Sequence, residues 1–500
     1  MYQNVRFGKN GSHYGAYITL MCRRALVALW PLMLAIPPFF LPITYMYLTF
    51  QCQWHDYGAL FNIINNLFEL GYFYSPDWGF DHFNVHFTPF FYILSPIIHV
   101  SDSLLFYLLL HSFAIVTSIW IYYRFAKKVL KSSPLATLSY IALLVNPYFM
   151  AANLYTHFEV FMVLTLMGFA LFAVKGKVGM ALVCLAIALS VKEDVWIYGI
   201  GASFILLHQI PVRHMAVYVG TSISYYILIL YLLYPILYPN SIDFFLQLWA
   251  YGPSKGAVIQ YLVTHPWETG KRLITGSGLD FNLLYLFVPF LSGWRLLPSL
   301  AVLYLWLNST DVSRSYLAFY YNLPCVVLYA ITLPFALINL ERFWCCLRSR
   351  FPHMIQARIA TQTILFAVII IGIVWQIRPP PSLMQSPSLS SIFAEDLKIG
   401  RFFLTHRTIN RVLTNREKAV LASFAIGAYV PPRDKIFIMT NNVVYLMQGS
   451  WRPDFVVFDL NKSGVLISEE LYRQFFAYMQ TSPEYRQVED VANVVIFAKQ

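Results

Sequence analysis

The feature that most constrains this chain is a succession of apolar runs, each close to the length needed to cross a bilayer. A spanning helix takes about 20 mostly apolar residues. Such runs fall at 25–50, 104–123, 135–150, 158–174, 178–191, 195–207, 215–238, 281–291, 297–307, 323–340 and 359–377, which predicts about eleven spans. Short or proline-bearing runs are tolerated where a span is buried among its neighbours. Composition agrees: 58% of the 500 residues are hydrophobic and 12% are charged, against about 25% charged in soluble domains. A water-soluble enzyme, a disordered chain and a disulfide scaffold are thereby excluded. Residues 1–24 are basic and precede a long, proline-interrupted run, the pattern of a retained first span.

The net charge of +11 invites a nucleic-acid partner, but in a membrane chain the first question is which side holds the cations. With residues 1–24 in the cytoplasm, sixteen Lys and Arg fall in inner segments, Arg23, Arg24, Arg124, Lys127 and Lys128 among them. The outer loops before residue 378 hold five: Lys192, Lys255, Lys271, Arg272 and Arg314. This bias follows the positive-inside rule, places the tail outside and leaves no role for nucleic acid. Residues 25–123 carry no Lys or Arg, yet Asp56, Glu69, Asp77 and Asp81 stand in the outer loop within them. Asp and Glu do little to orient a membrane protein. Their gathering points instead to an outward acidic site suited to a metal ion or a base.

The organisation expected is a cytoplasmic segment 1–24, a transmembrane domain 25–377 with a first outer loop at 51–103, a Pro/Ser-rich linker 378–391 and an extracytoplasmic α/β domain 392–500. In the tail, 393–425 reads as helix, while 435–440, 443–447 and 454–460 read as short β-rich runs. Ser468 before Glu469 and Glu470 reads as an N-cap opening a helix to about residue 480, and 486–498 as a final hairpin. The tail has no phosphate loop, metal spacing or nucleophile signature. The fold class is thus a mainly α polytopic bundle with a small C-terminal α/β domain.

Four clusters reach the outer mouth. They are Trp54-His55-Asp56-Tyr57-Gly58, then 81–89 with His82 and His86, then Asn146-Pro147 with His157-Phe158-Glu159, and Lys192-Glu193-Asp194. Three adjacent charges between two apolar runs are costly, roughly 2.5–3.5 kcal/mol each at a helix centre, and mark function by default. His82 and His86 are four apart, but Phe83 stands where a zinc protease has its general-base Glu. Tyr320 and Tyr321 suit an interfacial anchor or a sugar-stacking surface.

The pieces Asp56-Tyr57-Gly58, His86-Phe87-Thr88-Pro89, Asn146-Pro147, His157-Phe158-Glu159 and Lys192-Glu193-Asp194, in that order, resemble a family of predicted membrane proteins, mostly bacterial, classed as a domain of unknown function. The resemblance covers about residues 50–340, with an echo at 454–457. That family in turn resembles the GT-C integral-membrane glycosyltransferases, which use polyprenyl-phosphate-linked sugars. The resemblance implies a GT-C-like bundle in a bacterial inner membrane. It also implies surface helices at 57–70 and 89–99, an acidic residue at Asp56, and a basic residue at Lys192 for the lipid phosphate. A paired Asp-Asp near residue 56 is missing. On this reading Asp56 is the catalytic base, and His86, His157, Lys192, Tyr57 and Tyr321 bind substrate. Glu159, Glu193 and Asp194 would hold Mg2+ or Mn2+, hard cations that favour carboxylate oxygen. The partners expected are membrane lipid, a polyprenyl-phosphate-linked sugar and an envelope glycan, lipid or protein acceptor. Two competing classes are a transporter or flippase, which would bind near the midplane and often shows inverted repeats, and a non-catalytic assembly protein.

Overall fold

The structure is a computed structural model and describes residues 11–52, 54–76, 79–101, 103–241, 248–351, 356–380, 389–440, 442–461 and 466–500. Asp77 and the first ten residues lie outside them. Six helices are long and apolar enough to cross a membrane: Leu29–Leu48, Leu104–Leu130, Val212–Leu237, Val288–Leu307, Leu323–Arg350 and Ala357–Ile377. A bent pair, Ser133–Leu144 with Pro147–Leu154 at 46°, makes a seventh if counted as one span.

The eleven spans expected are therefore not reproduced among the described residues, for two physical reasons. Three of the runs form helices of 15, 14 and 11 residues; at 1.5 Å per residue even the longest covers about 22 Å, short of a bilayer core near 30 Å. The runs at 281–291 and 297–307 also do not make two spans. The chain turns at Leu286 and Phe287, both with positive φ, passes through a 3-10 stretch Val288–Leu296, and joins Leu297–Leu307 as one unit.

The elements that build the mouth are α1 (Gly11–Leu48), α2 (Leu60–Leu70), α3 (Phe91–His99), α4 (Leu104–Leu130), α5 (Ser133–Leu144), α6 (Pro147–Leu154), α7 (Val160–Val174), α8 (Val178–Val191) and α9 (Val195–Ile205). Helices α2 and α3 form within the stretches 57–70 and 89–99, where helices are expected, and Ser95 Oγ donates to the Ile64 carbonyl at 2.6 Å to join them. The break between α5 and α6 is written in Asn146-Pro147. A proline disfavours the helical region for the residue before it, and the Asn146 side chain accepts from Tyr148 N and Phe149 N at 2.9 and 3.2 Å to cap α6. Asn146 Nδ2 also donates to the Tyr285 hydroxyl at 2.8 Å, inside the core. This motif builds the bend and does not reach the cavity described below.

The tail holds a five-stranded sheet of order β4-β3-β5-β7-β6, with β3 Val420–Ala422, β4 Ile436–Ile438, β5 Phe455–Asp459, β6 Tyr485–Val491 and β7 Val494–Lys499; β1 and β2 are the two-residue strands Tyr74–Ser75 and Phe80–Asp81 of the 51–103 connection. Strand β3 runs parallel to β4 and β5, while β7 runs antiparallel to β5 and β6. The final hairpin turns at Ala492 and Asn493, both left-handed, as a two-residue turn requires. Helix Glu469–Thr481, capped by Ser468, lays Tyr472, Phe475 and Met479 on the sheet.

Two tail expectations are corrected. The helix expected over 393–425 runs Ile399–Val412 and then stops. The buried Arg433 guanidinium takes up the carbonyls of Leu413, Asn415 and Lys418 and turns the chain into β3. The run 443–447 forms one helical turn rather than a strand. Asn442 Oδ1 accepts from Thr440 N, and Asn442 Nδ2 donates to the Ile438 carbonyl, folding the chain back; Val443 and Leu446, three apart, then face the core.

Candidate active site

Asp56 sits in a π-helical turn, Trp54–Ala59, that leads into α2. Such turns are uncommon and frequent at functional sites. Trp54 and Tyr57 are buried on either side. The Tyr57 hydroxyl donates to the Leu154 carbonyl at the end of α6, and burial pushes its pKa up. Tyr57 therefore fixes the turn and is not among the cavity-lining residues. Asp56 itself is half-buried, faces the cavity and shares a hydrogen bond with the Tyr155 hydroxyl.

The second wall comes from a helical hairpin. Glu159 stands at the N-terminus of α7 and Lys192 at the C-terminus of α8, the ends at which helix dipoles favour an acid and a base respectively. The two side chains form a buried ion pair. Burial would lower Lys192, but Glu159, Asp194 and Glu193 outweigh it and raise its pKa, so the ammonium stays charged; burial pushes Glu159 up against the pull of Lys192. His86 Nδ1 lies 2.9 Å from Glu193 Oε1, and a backbone bond from Phe90 N to the Ser190 carbonyl ties the 86–90 segment to α8. Burial would raise Glu193, but His86 and then Lys192 hold it down at about 2. Asp194 accepts from the Tyr198 hydroxyl at 2.7 Å. One oxygen of each remains buried without a partner, Glu193 Oε2 and Asp194 Oδ1. His82 bonds to Thr88 Oγ1 at 3.0 Å, and burial, then His86, lowers its pKa to about 3.

The third wall follows the span Val288–Leu307. Asp311 accepts from Arg314 N and caps the turn Val312–Ser315. The Arg314 guanidinium lies over the Tyr321 ring at 4.6 Å and the Trp306 ring at 5.5 Å, and its Nε is buried without a hydrogen-bond partner. Tyr320 stacks on His157 with ring centroids 3.6 Å apart and planes 4° apart. Burial, then Lys192, lowers the His157 pKa.

These walls enclose one cavity of about 440 Å³, lined by Asp56, Ser75, His82, His86, His157, Lys192, Asp311, Arg314, Tyr320 and Tyr321 together with apolar side chains. That volume lies in the range of small-molecule sites. Of the residues expected to act, the structure brings Asp56, His86, His157, Lys192 and Tyr321 to this space. Glu159, Glu193 and Asp194 stand behind Lys192 and His86. Glu159 is paired with Lys192, and the described residues hold no group of three or more His, Cys, Asp or Glu that could hold a metal ion. Arg314 and Asp311 were missed by sequence reasoning. The signal for Arg314 was present, since it is one of five cations in loops otherwise poor in them.

The profile described as "Predicted membrane protein (DUF2079)" matches residues 23–482. The chain belongs to this family. The DUF2079 match reaches through most of the tail, beyond the 50–340 stretch that carries the motifs. No curated protein matches the sequence. Among solved structures, the crystal structure of apo ArnT from Cupriavidus metallidurans is similar to 97% of this chain over 98% of its own, at 12% identity and a TM-score of 0.47.

Proposed function

We propose that this DUF2079 protein is an integral-membrane glycosyltransferase of GT-C type, moving a sugar from a polyprenyl-phosphate donor to an envelope acceptor outside the cytoplasm. The observation that carries the reading is a cavity holding a carboxylate, Asp56, together with two cations, the buried Lys192 and the half-buried Arg314, and aromatic rings. An anion with an apolar tail suits cations at the end of a helical bundle. The rings of His157, Tyr320 and Tyr321 suit a sugar face. The resemblance of this family's topology to that of lipid-sugar transferases points the same way, as an analogy of fold only.

The reaction uses these groups as follows. The acceptor hydroxyl oxygen forms a bond to the anomeric carbon of the donor sugar. Asp56 takes the hydroxyl proton, and a positioned base contributes typically 10²–10⁴-fold. The bond from the anomeric carbon to the phosphate oxygen breaks, and its electron pair leaves with the polyprenyl phosphate. Arg314, whose Nε has no hydrogen-bond partner, supplies a planar donor fork for that phosphate, and Lys192 supplies a point charge beside it. Electrostatic stabilisation of the leaving charge is strongest where water is excluded. The unpartnered oxygens of Glu193 and Asp194 are donors that suit Mg2+ or Mn2+ entering with a phosphate, where the ion would screen negative charge.

The test is transfer of label from radiolabelled polyprenyl-phosphate sugars to envelope acceptors by the purified protein, repeated with Asp56→Asn and Arg314→Ala. Label moved equally by all three would remove the site assignment. Substrate flux in vesicles without transfer would replace the enzyme with a transporter.

A further inference from the structure

The role of the tail follows from where it touches the membrane domain. The first part of its connection between β3 and β4 does not face solvent: Phe424, Ala425, Ile426, Ala428 and Tyr429 are all buried. This segment lies against the π-helical turn that carries Asp56. A methyl group on Gly58 would meet the Ala428 Cα at 2.6 Å and its Cβ at 2.9 Å, with the Trp54 ring also at 2.9 Å. A methyl group on Gly427 would strike Ile438 Cδ1 and approach the Trp54 ring at 3.3 Å. The Trp54 indole is therefore clamped between two glycines, one from each domain, where only backbone fits.

Other bonds fix the same contact along its length. The Tyr429 hydroxyl donates to the Tyr47 carbonyl at 2.9 Å, Arg433 N donates to Asn62 Oδ1 at 3.2 Å, and Arg416 pairs with Glu69. On the opposite side of the turn, Tyr57 is bonded to Leu154 and Asp56 to Tyr155. The Asp56 turn is thus held between the tail and the hairpin that leads to Glu159.

We propose that the Gly427–Ala428 segment of the tail is a positioning element for Asp56, acting through Trp54 and Gly58 to set where the carboxylate enters the cavity. The inference rests on Asp56 being the base of the proposed reaction. A π-helical turn is a rare arrangement of the chain, and a packed neighbour that leaves no room for another one holds its shape. Misplacing a reacting group by about 1 Å costs on the order of 10²-fold in rate. The tail on this account is part of the site and not a passive cap.

The experiment uses the full chain in lipid nanodiscs. Ala428→Leu pushes against Gly58, and Gly427→Ala pushes against Ile438. In Ala428→Leu, amide exchange over residues 54–59 should rise at least about tenfold while exchange in β5 stays at the wild-type level. With radiolabelled polyprenyl-phosphate-linked glucose as donor, kcat should fall at least about tenfold at unchanged KM. Gly427→Ala should show a smaller loss of kcat, and adding Ile438→Val should restore it, which a merely unfolded tail would not allow. Wild-type exchange over 54–59 with wild-type kcat in Ala428→Leu would overturn the proposal. Should Asp56→Asn transfer at the wild-type rate, the base assignment fails instead, and the exchange data still decide whether the tail orders the turn.

Discussion

The charges of the mouth and the charges on the surface of the tail are built on opposite principles. Around the cavity, Lys192, Glu159 and His157 are buried, and Arg314 Nε, Glu193 Oε2 and Asp194 Oδ1 are buried without partners. On the tail surface, Arg473 and Glu469 pair one helical turn apart in the open, Arg411 reaches Glu489, and Lys418 reaches Asp454 at 3.3 Å. Exposed pairs contribute about 0–1 kcal/mol and are what any soluble surface carries. Buried polar atoms without partners carry a desolvation cost of about 1–3 kcal/mol each. At the mouth that cost falls beside the cavity lined by Asp56, Lys192 and Arg314, where an entering ligand would supply the missing partner.

The comparison can be broken at several points. The largest effect is expected from Asp56→Asn, which should lower transfer by about 10²–10⁴-fold with little change in thermal stability; an unchanged rate would take Asp56 out of the chemistry. Glu159→Ala leaves Lys192 charged and buried, and should cost about 3–5 kcal/mol in a denaturant or thermal assay. The double change Glu159→Leu with Lys192→Met should recover much of that loss.

A pH effect comes next. His82 is held neutral by burial, its pKa lowered from 6.5 to about 3. The unfolded chain takes up that proton near pH 6.5 and the folded chain does not, so this contribution to stability is complete above pH 6.5 and declines as pH falls toward 3. His82→Gln should flatten stability over that window, and a slope identical to wild type would contradict the burial. The smallest effect belongs to the tail surface: Arg473→Ala should change stability by less than about 0.5 kcal/mol.

Much of this molecule was legible in its sequence because insertion into a bilayer is so costly for charge. Asp56, His86, His157 and Lys192 are far apart in the chain, yet each lies where an apolar run ends, and ends of runs on one side must meet at one mouth. The tail's β4, β5 and final hairpin were readable from apolar and turn residues. What could not be read depended on contacts between distant segments. The pairing of Lys192 with Glu159 needs α7 and α8 to lie side by side, and the approach of Arg314 needs the turn at Leu286 and Phe287 that merges two apolar runs into one unit. The end of the helix at Val412 is set by Arg433, twenty residues beyond the carbonyl of Leu413 that it binds. Tyr57 misled for a related reason, since its hydroxyl is aimed at Leu154, not at the cavity.

The most direct measurement is the affinity of the purified protein for polyprenyl phosphate itself, by native mass spectrometry or calorimetry, for wild type and for Arg314→Ala. The account predicts saturable binding by wild type and at least about a tenfold loss in the variant, about 1.4 kcal/mol. Equal affinity in both proteins would contradict it, because the Arg314 guanidinium, whose Nε is buried without a hydrogen-bond partner, would then have no anion to meet.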